Sequence, residues 1–448
     1  MPIPGAGFYL CRMAQESALQ VYKFGGASVK DAAAIQNLAH IVLHHGSGRP
    51  LLVVVSAMGK TTNALEEIFN LAQAGRDYRE PLRQLSDFHQ NVARELLGTK
   101  PHTGGPTGNK TAPEASETAV ADARLTGLLE SLEERLGRMR PGEYDRQYDQ
   151  VVSYGELLAS QLVAGVLGAD WLDCRPLIRT DRSWREGRVD WPTTERAIRA
   201  EVSPRVSAGV VVTQGFIGST ASGATTTLGR EGSDYSAAIF AYCLGAGSVT
   251  IWKDVAGLLN ADPKIFPDTV RYPEISYHET IEMAYYGASV IHPKTIKPLA
   301  ERRIPLYVKS FLDPAAAGTI IHDCRHGLLA PAFIRKTEQC LVSFESKDFA
   351  FISEENLGVI FGALAQARLK INLMQNSAIS FSVCLDYNER RLAELLSLLR
   401  EQFAIHYNTD LTLFTIKNYD ADSIRQLTGG RQLLLEQRTR QTFQFVSA

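Results

Sequence analysis

The segment from Thr225 to Ala238 combines residue types that bind small anions. It reads TTTLGREGSDYSAA and lies between an apolar run at 208–213 and a helix-like stretch at 236–243. A strand, a loop and a helix in this order bring backbone N–H groups and a helix N-terminus to one place, where anions bind. Arg230 adds a planar guanidinium that can hold a carboxylate with two parallel hydrogen bonds. The segment indicates a site for a carboxylate beside phosphates, as in a kinase acting on a small acid, although such turns also occur without a ligand.

A second glycine-containing turn lies near the N-terminus. Residues 21–29 read VYKFGGASV, a short strand ending in a glycine pair, and a helix is predicted from about 31 to 44. Gly25 and Gly26 allow the backbone to approach phosphate oxygens closely, and Lys23 supplies a positive charge. The lysine precedes the glycines, so this is not the loop of the P-loop enzymes, in which the lysine follows them. A strand-to-helix turn that only needs glycine is the alternative.

The bulk composition excludes several kinds of partner. The chain has 448 residues, which predicts two or three domains. Its 47 lysines and arginines and 49 aspartates and glutamates give a net charge of -2, which offers no field for nucleic acid or an anionic membrane. No apolar run approaches the roughly 20 residues of a membrane span. The six cysteines are scattered without pairing or metal-binding spacing, which favours a cytoplasmic protein with reduced thiols.

The elements predicted between residues 20 and 318 indicate an α/β fold. Short apolar runs alternate there with helical stretches, a pattern typical of a mostly parallel sheet sandwiched by helices. The runs lie at 53–56, 210–214, 248–253 and 305–309.

Two segments are predicted to lie outside this fold. Residues 98–120 are rich in Gly, Pro and Thr and predict a flexible surface insertion between helices. Residues 1–19 lack the basic start and long apolar stretch of a secretory signal, and predict a disordered leader. We hypothesise that Met13 is the true start or that residues 1–12 are disordered.

The pattern changes after about Thr319. Residues 335–416 predict the element order β-α-β-β-α-β of a small α+β domain. Residues 417–448 predict one short helix and two strands, too few for a second complete domain. We expect a strand near 304–310 to complete it.

The motifs together resemble those of the aspartokinases, over roughly residues 20 to 447. The resemblance implies an amino-acid kinase fold in 20–318 and ACT (ferredoxin-like) regulatory domains in 335–416 and 417–448. It also implies transfer of the γ-phosphoryl group of ATP, with Mg²⁺, to the side-chain carboxylate of L-aspartate. The product is 4-phospho-L-aspartate, and the reaction is the first step in the biosynthesis of lysine, threonine and methionine. The motifs, in the order typical of the family, are Lys23-Phe-Gly-Gly-Ala-Ser28, Val55-Ser-Ala-Met58, Ser153-Tyr-Gly-Glu-Leu157, Gln214-Gly-Phe216, Thr227-Leu-Gly-Arg230 with Gly232-Ser-Asp234, Lys253-Asp-Val-Ala-Gly257 and His292-Pro-Lys294.

The resemblance assigns catalytic and substrate-binding roles. A carboxylate nucleophile is ionised at neutral pH and needs no general base, so the task is to position two anions and neutralise charge. Lys23 is expected to neutralise the charge of the phosphoryl group during transfer. Asp234 would orient a lysine, bind Mg²⁺ through water or cap the following helix, and no direct protein ligand to the metal is expected. Arg230 would bind the α-carboxylate of aspartate and Glu156 its α-ammonium. The implied aspartate pocket comprises Ser56, Thr62, Glu156, Phe216, Arg230 and Ser233.

For the nucleotide, the resemblance implies a second set, in which the charged members could equally be solvated residues of a strand-end turn. Two positions depart from the family pattern. Many members have glycine in place of Glu231, and many have lysine in place of Ser289, whose charge either Lys294 or Lys253 could supply. The implied ATP-binding residues are Lys23, Gly25, Gly26, Lys253, Asp254, Leu259, Lys264, Ser289 and Lys294.

Three other functions share some of these features. Another amino-acid kinase, acting on glutamate, N-acetylglutamate or UMP, would share the glycine motif but not the Ser-Tyr-Gly-Glu helix and the ACT tail. A non-catalytic amino-acid sensor is opposed by the presence of Lys23, Arg230 and Asp234. A fusion to homoserine dehydrogenase is not expected from a length of 448 residues.

Regulation and assembly are predicted from the C-terminal region. In lysine-inhibited relatives, acidic residues bind the effector's amino groups, but the matching positions here are Asn372 and Ala378. A buried ammonium without a counter-charge costs several kcal/mol. We therefore expect insensitivity to lysine, and either a threonine effector bound by Asn372, Gln375 and Asn376 or no regulation. A homodimer or homotetramer joined through the ACT regions is also expected.

Overall fold

The computed structural model describes residues 19–46, 48–98, 115–140, 142–288, 291–325, 327, 329–348 and 350–448. Residues 1–18 of the predicted leader 1–19 and most of the predicted insertion at 98–120 lie outside these residues. The described residues divide into two compact units. The first comprises the chain up to Leu258 with 273–277 and 291–325, and the second comprises 259–272, 278–290 and the chain from 326 onward.

Two sheets occur among the described residues of the first unit. The main sheet has the order β3-β5-β2-β1-β8-β10-β11-β9, and a small one has the order β4-β6-β7. In the main sheet only the β10–β11 pair is antiparallel. The mostly parallel α/β sheet predicted from the sequence is thus confirmed. The strands are β1 (Gln20–Phe24), β2 (Leu51–Val55), β3 (Asp170–Leu172), β4 (Arg179–Thr180), β5 (Val210–Gln214), β6 (Ile217–Thr220), β7 (Thr225–Thr227), β8 (Ser248–Lys253), β9 (Glu274–Ser276), β10 (Leu306–Ser310) and β11 (Thr319–His322).

The central strands of the main sheet, β1, β2 and β8, are buried on both faces, with helices packed against them. All five residues of β2, LLVVV, are buried, as expected of a strand inside a parallel sheet. The helices are α1 (Ala32–His45), α2 (Thr61–Gln73), α3 (Arg79–Gly98), α4 (Ala115–Gly137), α5 (Tyr144–Val152), α6 (Tyr154–Leu167), α7 (Trp191–Ala208), α8 (Gly232–Leu244), α9 (Tyr277–Tyr286) and α10 (Pro293–Glu301). Of these, α9 belongs to the second unit except for its first residue.

The second unit is built on one antiparallel sheet with the order β13-β14-β12-β15-β17-β16. Its elements from β12 to β15 follow the predicted β-α-β-β-α-β order. They are β12 (Ala332–Ser346), α11 (Glu354–Gln366), β13 (Ile371–Asn376), β14 (Ser380–Asp386), α12 (Glu389–Leu399), β15 (Phe403–Lys417), α13 (Ala421–Thr428), β16 (Leu433–Arg438) and β17 (Thr442–Ser447).

The two long strands β12 and β15 lie at the centre of this sheet, between β13 and β14 on one side and β17 and β16 on the other. Residues 332–336 pair with 413–417, and residues 341–346 pair with 403–408, with register shifts in between. The end of β15 also pairs with β17. The prediction that a strand near 304–310 completes the last unit is therefore wrong. Residues 306–310 form β10, which pairs with β8 and β11 in the first unit, and the first part of β12 takes the predicted place.

Residues 259–272 and 278–290 pack with the second unit, although the sequence predicts them within the catalytic domain. The Asn260 side chain donates a hydrogen bond to the Pro331 carbonyl at 2.9 Å. Lys417 of β15 is buried, and its Nζ lies 2.5 Å from Glu282 and 3.7 Å from Glu279, both in α9. No helix within the described ranges is long and apolar enough to cross a membrane.

Candidate active site

Lys23 and Asp234 lie at the base of the candidate site. Lys23 lies in β1, paired with Val54 of β2 and Ile251 of β8. Its Nζ lies 2.6 Å from Asp234 Oδ1, and Lys253 Nζ lies 3.6 Å from Asp234 Oδ2. Burial favours the neutral acid, but the two ammonium groups outweigh it and hold the pKa of Asp234 below its ordinary value. The site therefore keeps a carboxylate between two cations at neutral pH.

Two glycines let neighbouring segments approach each other at this site. A Cβ at Gly26 would lie 3.0 Å from the carbonyl oxygen of Ala57, so the turn after β1 lies against the segment after β2. A Cβ at Gly215 would lie 2.5 Å from the Cβ of Ser233, so the end of β5 lies against the first turn of α8. A larger residue at either position would push a strand end away from the site.

Helix α8 directs its N-terminus to the site and begins at Gly232, after Glu231. Glu231 has φ 53, a left-handed conformation that glycine adopts without steric cost. The Glu231 carboxylate accepts a hydrogen bond from the His292 N–H at 2.7 Å. The hydrogen bond connects Glu231, at a position where many members of the family have glycine, to the residue before α10.

A cavity of about 570 Å³ opens at the carboxyl ends of β1, β2 and β8, where ligands bind in open α/β sheets. All residues of the predicted aspartate pocket line it, together with Lys23, Asp234 and Lys253. The lining residues are Lys23, Gly26, Ser56, Ala57, Gly59, Thr62, Tyr148, Glu156, Arg185, Phe216, Thr227, Gly229, Arg230, Glu231, Gly232, Ser233, Asp234 and Lys253.

Glu156 is a buried carboxyl group in the cavity wall. Its Oε1 accepts a hydrogen bond from the Ala57 N–H at 3.2 Å, and among the described residues Oε2 has no hydrogen-bond partner. Burial raises the pKa of Glu156 to about 8, although the Ala57 N–H and the Lys23 ammonium act in the opposite direction. A buried carboxyl oxygen without a partner in a cavity is suited to bind a donor group of a ligand.

Arg230 precedes helix α8, and Phe216 lies against the start of that helix, since a Cβ at Gly232 would lie 2.6 Å from the Phe216 ring. The Arg230 side chain is exposed at the cavity, and it takes part in none of the ion pairs found among the described residues. Phe216 has φ 67, a conformation that costs free energy for a bulky residue, and its N–H donates to the Ser236 hydroxyl at 2.9 Å. The site thus presents an available guanidinium beside a strained, fixed backbone.

The predicted nucleotide residues are only partly brought together. Lys23, Gly26 and Lys253 line the cavity, and a Cβ at Gly25 would lie 3.4 Å from Lys23 Nζ. Asp254 is exposed next to Lys253, and Lys294 forms an ion pair with Glu186. Ser289 lies outside the described residues. Leu259 and Lys264 belong to the second unit.

Sequence reasoning missed Tyr148 and Arg185 as cavity residues, and it gave Thr227 no role of its own. They come from three separate places: α5, the segment after β4, and β7. The Arg185 guanidinium lies 4.1 Å from the centre of the Tyr148 ring. No local motif marks these residues, because only tertiary packing brings them to the cavity.

Metal binding at the site is compatible with the ion that accompanies a nucleotide. Mg²⁺ prefers oxygen ligands and keeps several waters, using one or two carboxylates plus phosphate oxygens. The Asp234 oxygens already contact two lysines, which fits an ion held through water. In the described part of the chain, two groups of potential metal ligands occur, and neither includes a residue that lines the cavity. They are Glu274, His322 and Cys324, and His278, Glu279 and Glu282.

The fold and this cavity define a member of the amino acid kinase family, whose family model matches residues 18–310. The lysine-sensitive aspartokinase 3 of Escherichia coli (strain K12) is 32% identical over 376 residues, which are 83% of this chain and 79% of that protein. Because the match extends over most of both chains, this chain belongs to the aspartokinases.

Two further comparisons agree. The chloroplastic bifunctional aspartokinase/homoserine dehydrogenase 1 of Zea mays is 30% identical over 401 residues, which are 86% of this chain and 41% of that protein. The chain therefore spans less than half of the maize protein. The crystal structure of E. coli aspartokinase III in complex with aspartate and ADP has a TM-score of 0.76 at 28% identity, covering 96% of both chains.

Proposed function

We propose that this protein transfers the γ-phosphoryl group of MgATP to the side-chain carboxylate of L-aspartate, giving 4-phospho-L-aspartate. The observation that carries the proposal is the cavity itself. One cavity holds a paired Lys23–Asp234 and every residue of the predicted aspartate pocket. Binding of aspartate and ADP by the E. coli structure supports the same pair of ligands here.

Arg230 and Glu156 would orient the acid. Arg230, exposed at the cavity and outside the ion pairs of the described residues, binds the α-carboxylate with its guanidinium fork. The Oε2 atom of Glu156, which no described group satisfies, accepts a hydrogen bond from the α-ammonium. These contacts hold the amino-acid end, so the side-chain carboxylate is left to attack the phosphoryl group. Orientation of this kind supplies a large share of rate acceleration in reactions between two bound substrates.

Lys23 would stabilise the charge that moves in the transfer. Its ammonium lies in the central strand β1, fixed by Asp234, so it needs no reorganisation when charge develops. Lys253 adds a second cation near the other oxygen of Asp234. Many family members have a lysine at the position of Ser289, and Lys253 would supply the positive charge of that lysine here. Lys294 is less suited, since it is paired with Glu186. Mg²⁺ bound to the phosphates would neutralise further negative charge.

A trapping assay tests the reaction and the substrate together. The protein is incubated with MgATP, hydroxylamine and either L-aspartate, L-glutamate or no acid, because an acyl phosphate reacts with hydroxylamine to give a hydroxamate. We expect hydroxamate and ADP with aspartate only. The Asp234→Asn variant, purified in the same way, controls for contaminating kinases. Equal product with glutamate would favour a glutamate-type kinase, and ATP-independent binding of amino acids without turnover would favour a non-catalytic sensor.

Regulation is proposed to differ from that of the lysine-sensitive relative. Asn372 is already engaged: its side chain accepts from Lys336 Nζ at 2.9 Å and donates to Gln339 at 2.8 Å and to Asp386 at 3.0 Å. Lys336 Nζ lies 2.7 Å from the Asp386 carboxylate. The carboxylate in contact with Asn372 is therefore neutralised, which disfavours a lysine effector. If an effector binds, Gln375 and Asn376, both exposed in β13, would offer amides to the hydroxyl of threonine.

We also propose that the second unit joins copies of the chain into a homodimer or homotetramer. Strand β13 lies at the edge of its sheet, and Met374 in it is 48% exposed. An edge strand presents backbone groups to which another chain can add. Light scattering coupled to size-exclusion chromatography tests this, and a monomer at all concentrations up to about 100 μM would contradict it.

A further inference from the structure

Asp149 is a fully buried carboxyl group that no predicted role uses. It lies in α5 and is 0% exposed, and it does not line the cavity. Its two oxygens lie 3.1 and 2.9 Å from the backbone nitrogen of Arg185, whose N–H donates to them. They also accept from the Thr227 N–H at 3.0 Å and from the Thr227 hydroxyl at 2.8 Å. One carboxylate thus holds two cavity-lining residues, Arg185 and Thr227, that are 42 positions apart in the chain.

The environment of this carboxyl group shows that its bonds are maintained at a cost. Burial raises the pKa of Asp149 to about 6, and the hydrogen bonds from Arg185 and Thr227 counteract that shift. Arg185 has φ 64, a left-handed conformation that is uncommon for a long side chain. Strained backbone that is held by several contacts is found preferentially at functional sites.

Thr227 links Asp149 to the predicted carboxylate-binding arginine. It is the last residue of β7, and its carbonyl accepts the Gly187 N–H at 2.8 Å. The next residue, Leu228, donates its N–H to the Phe216 carbonyl at 2.8 Å. Arg230 follows only three positions after Thr227. A displacement of Thr227 would therefore move both the start of the Arg230 loop and the strained Phe216.

We propose that Asp149 is a positioning residue for the acid substrate: it fixes Thr227 and Arg185, and through Thr227 it sets the place of Arg230 in the cavity. The inference depends on the proposed function, since it concerns the binding of the acid. A carboxylate is suited to this task because it offers acceptors only: the backbone N–H groups of Arg185 and Thr227 can only donate, and the Thr227 hydroxyl donates to it as well. A purely structural role would lower stability without affecting one substrate more than the other.

The test compares Asp149→Asn with Thr227→Val and with Asp145→Asn. The amide introduced by Asp149→Asn is neutral and has one acceptor oxygen. Its NH₂ group would face the Arg185 backbone N–H, which contacts both carboxylate oxygens, and the hydrogen bond with the Thr227 hydroxyl would persist only if the hydroxyl turned to accept. Thr227→Val removes only the hydroxyl contact. Asp145→Asn is the matched control, because Asp145 lies in the same helix and approaches the Arg185 guanidinium at 3.7 Å, but is exposed and does not bind the backbone.

We expect Asp149→Asn to raise the KM for aspartate by about tenfold or more, as for a lost hydrogen bond to a charged group. The KM for MgATP and kcat should change less than about threefold, Thr227→Val should show a smaller rise in aspartate KM, and Asp145→Asn should resemble the wild type. Amide hydrogen exchange should be faster at 183–188 and 225–230 in Asp149→Asn, with β1 and β2 unchanged. If Asp149→Asn does not fold, Thr227→Val provides the test: its KM for aspartate should rise more than its KM for MgATP.

Two different failures can be told apart. A wild-type protein without aspartate-dependent turnover would overturn the proposed function, and this inference with it. Normal wild-type turnover, with an unchanged aspartate KM or equal rises in both KM values in Asp149→Asn and Thr227→Val, would overturn the inference alone.

Discussion

Two buried carboxyl groups in one cavity have opposite charge preferences. Asp234 contacts two ammonium groups, which hold its pKa below the ordinary value, whereas burial raises the pKa of Glu156 to about 8. At neutral pH the first is an anion and the second is mostly neutral. Environments that separate the pKa values of neighbouring acids assign them different roles. Here Asp234 holds cations that are already present, and Glu156 is ready to ionise when a cationic group arrives.

Replacement of Lys23 by alanine should lower kcat by about 10²–10³-fold and raise the KM for aspartate much less. The reason is that its charge interacts most strongly with the charge developing in the transfer. The variant also leaves Asp234 with only Lys253 at 3.6 Å, so its stability will fall. Steady-state kinetics should therefore be measured below the Tm of the variant. Near wild-type kcat in Lys23→Ala would remove Lys23 from the catalytic role.

The KM for aspartate should fall by about fivefold between pH 7 and pH 8. With a pKa of about 8, the ionised fraction of Glu156 rises from about 0.1 to about 0.5 over this interval, and the ionised form binds the α-ammonium, which stays protonated. The direction follows because a raised pKa makes the required anion scarce at low pH. Glu156→Gln is the control, since it should have a higher KM without this pH dependence. A flat profile in the wild type would mean that Glu156 does not titrate with binding.

At the scale of elements, the site depends on how closely strand ends approach α8. Replacing Gly215 by alanine places a Cβ 2.5 Å from the Cβ of Ser233, so α8 or β5 must shift. We expect a loss of about 1–3 kcal/mol in the free energy of unfolding and a raised KM for aspartate. Gly209→Ala is the matched control, because a Cβ at Gly209 meets nothing within 4 Å. Denaturant unfolding and kinetics of both variants test this, and equal behaviour would show that the contact is not tight.

Elements that local signals define were predictable, and those that depend on distant contacts were not. The glycine turn after β1 and the loop before α8 carry their own residue types, so their place in the site followed from the sequence. The sequence indicates strand β12 only from Cys340 onward, since the first part of the strand runs through Arg335-Lys336-Thr337-Glu338. Glu338 has φ 55 at the register shift, which interrupts the alternation of apolar residues. The sequence also indicates the strand at 306–310, but strand propensity does not tell which sheet a strand joins.

At the scale of the whole molecule, the chain combines a unit that carries the cavity with a unit whose sheet is rich in polar contacts. In the second unit Lys336, Gln339, Asn372 and Asp386 form one hydrogen-bonded network. Lys336, Asn372 and Asp386 could be recognised as polar, but their mutual pairing depends on three strands meeting. The network engages the Asn372 side chain and pairs Asp386 with Lys336, which strengthens the charge argument against a lysine effector.

Activity should be insensitive to millimolar lysine at sub-saturating aspartate. A bound lysine would place an ammonium near Asn372, where Lys336 already supplies a positive charge. The Asp386 carboxylate there is already paired with Lys336, whose Nζ lies 2.7 Å from it. Desolvating an ammonium without a free counter-charge costs several kcal/mol, enough to abolish binding at millimolar concentration.

Threonine at the same concentration is the parallel measurement, and inhibition by it should be reduced in Gln375→Ala and Asn376→Ala if those amides bind the hydroxyl. Lys336→Met should not create inhibition by threonine, but it frees Asp386 and should let lysine bind if the charge balance is what prevents it. Strong inhibition of the wild type by lysine alone would contradict the charge argument.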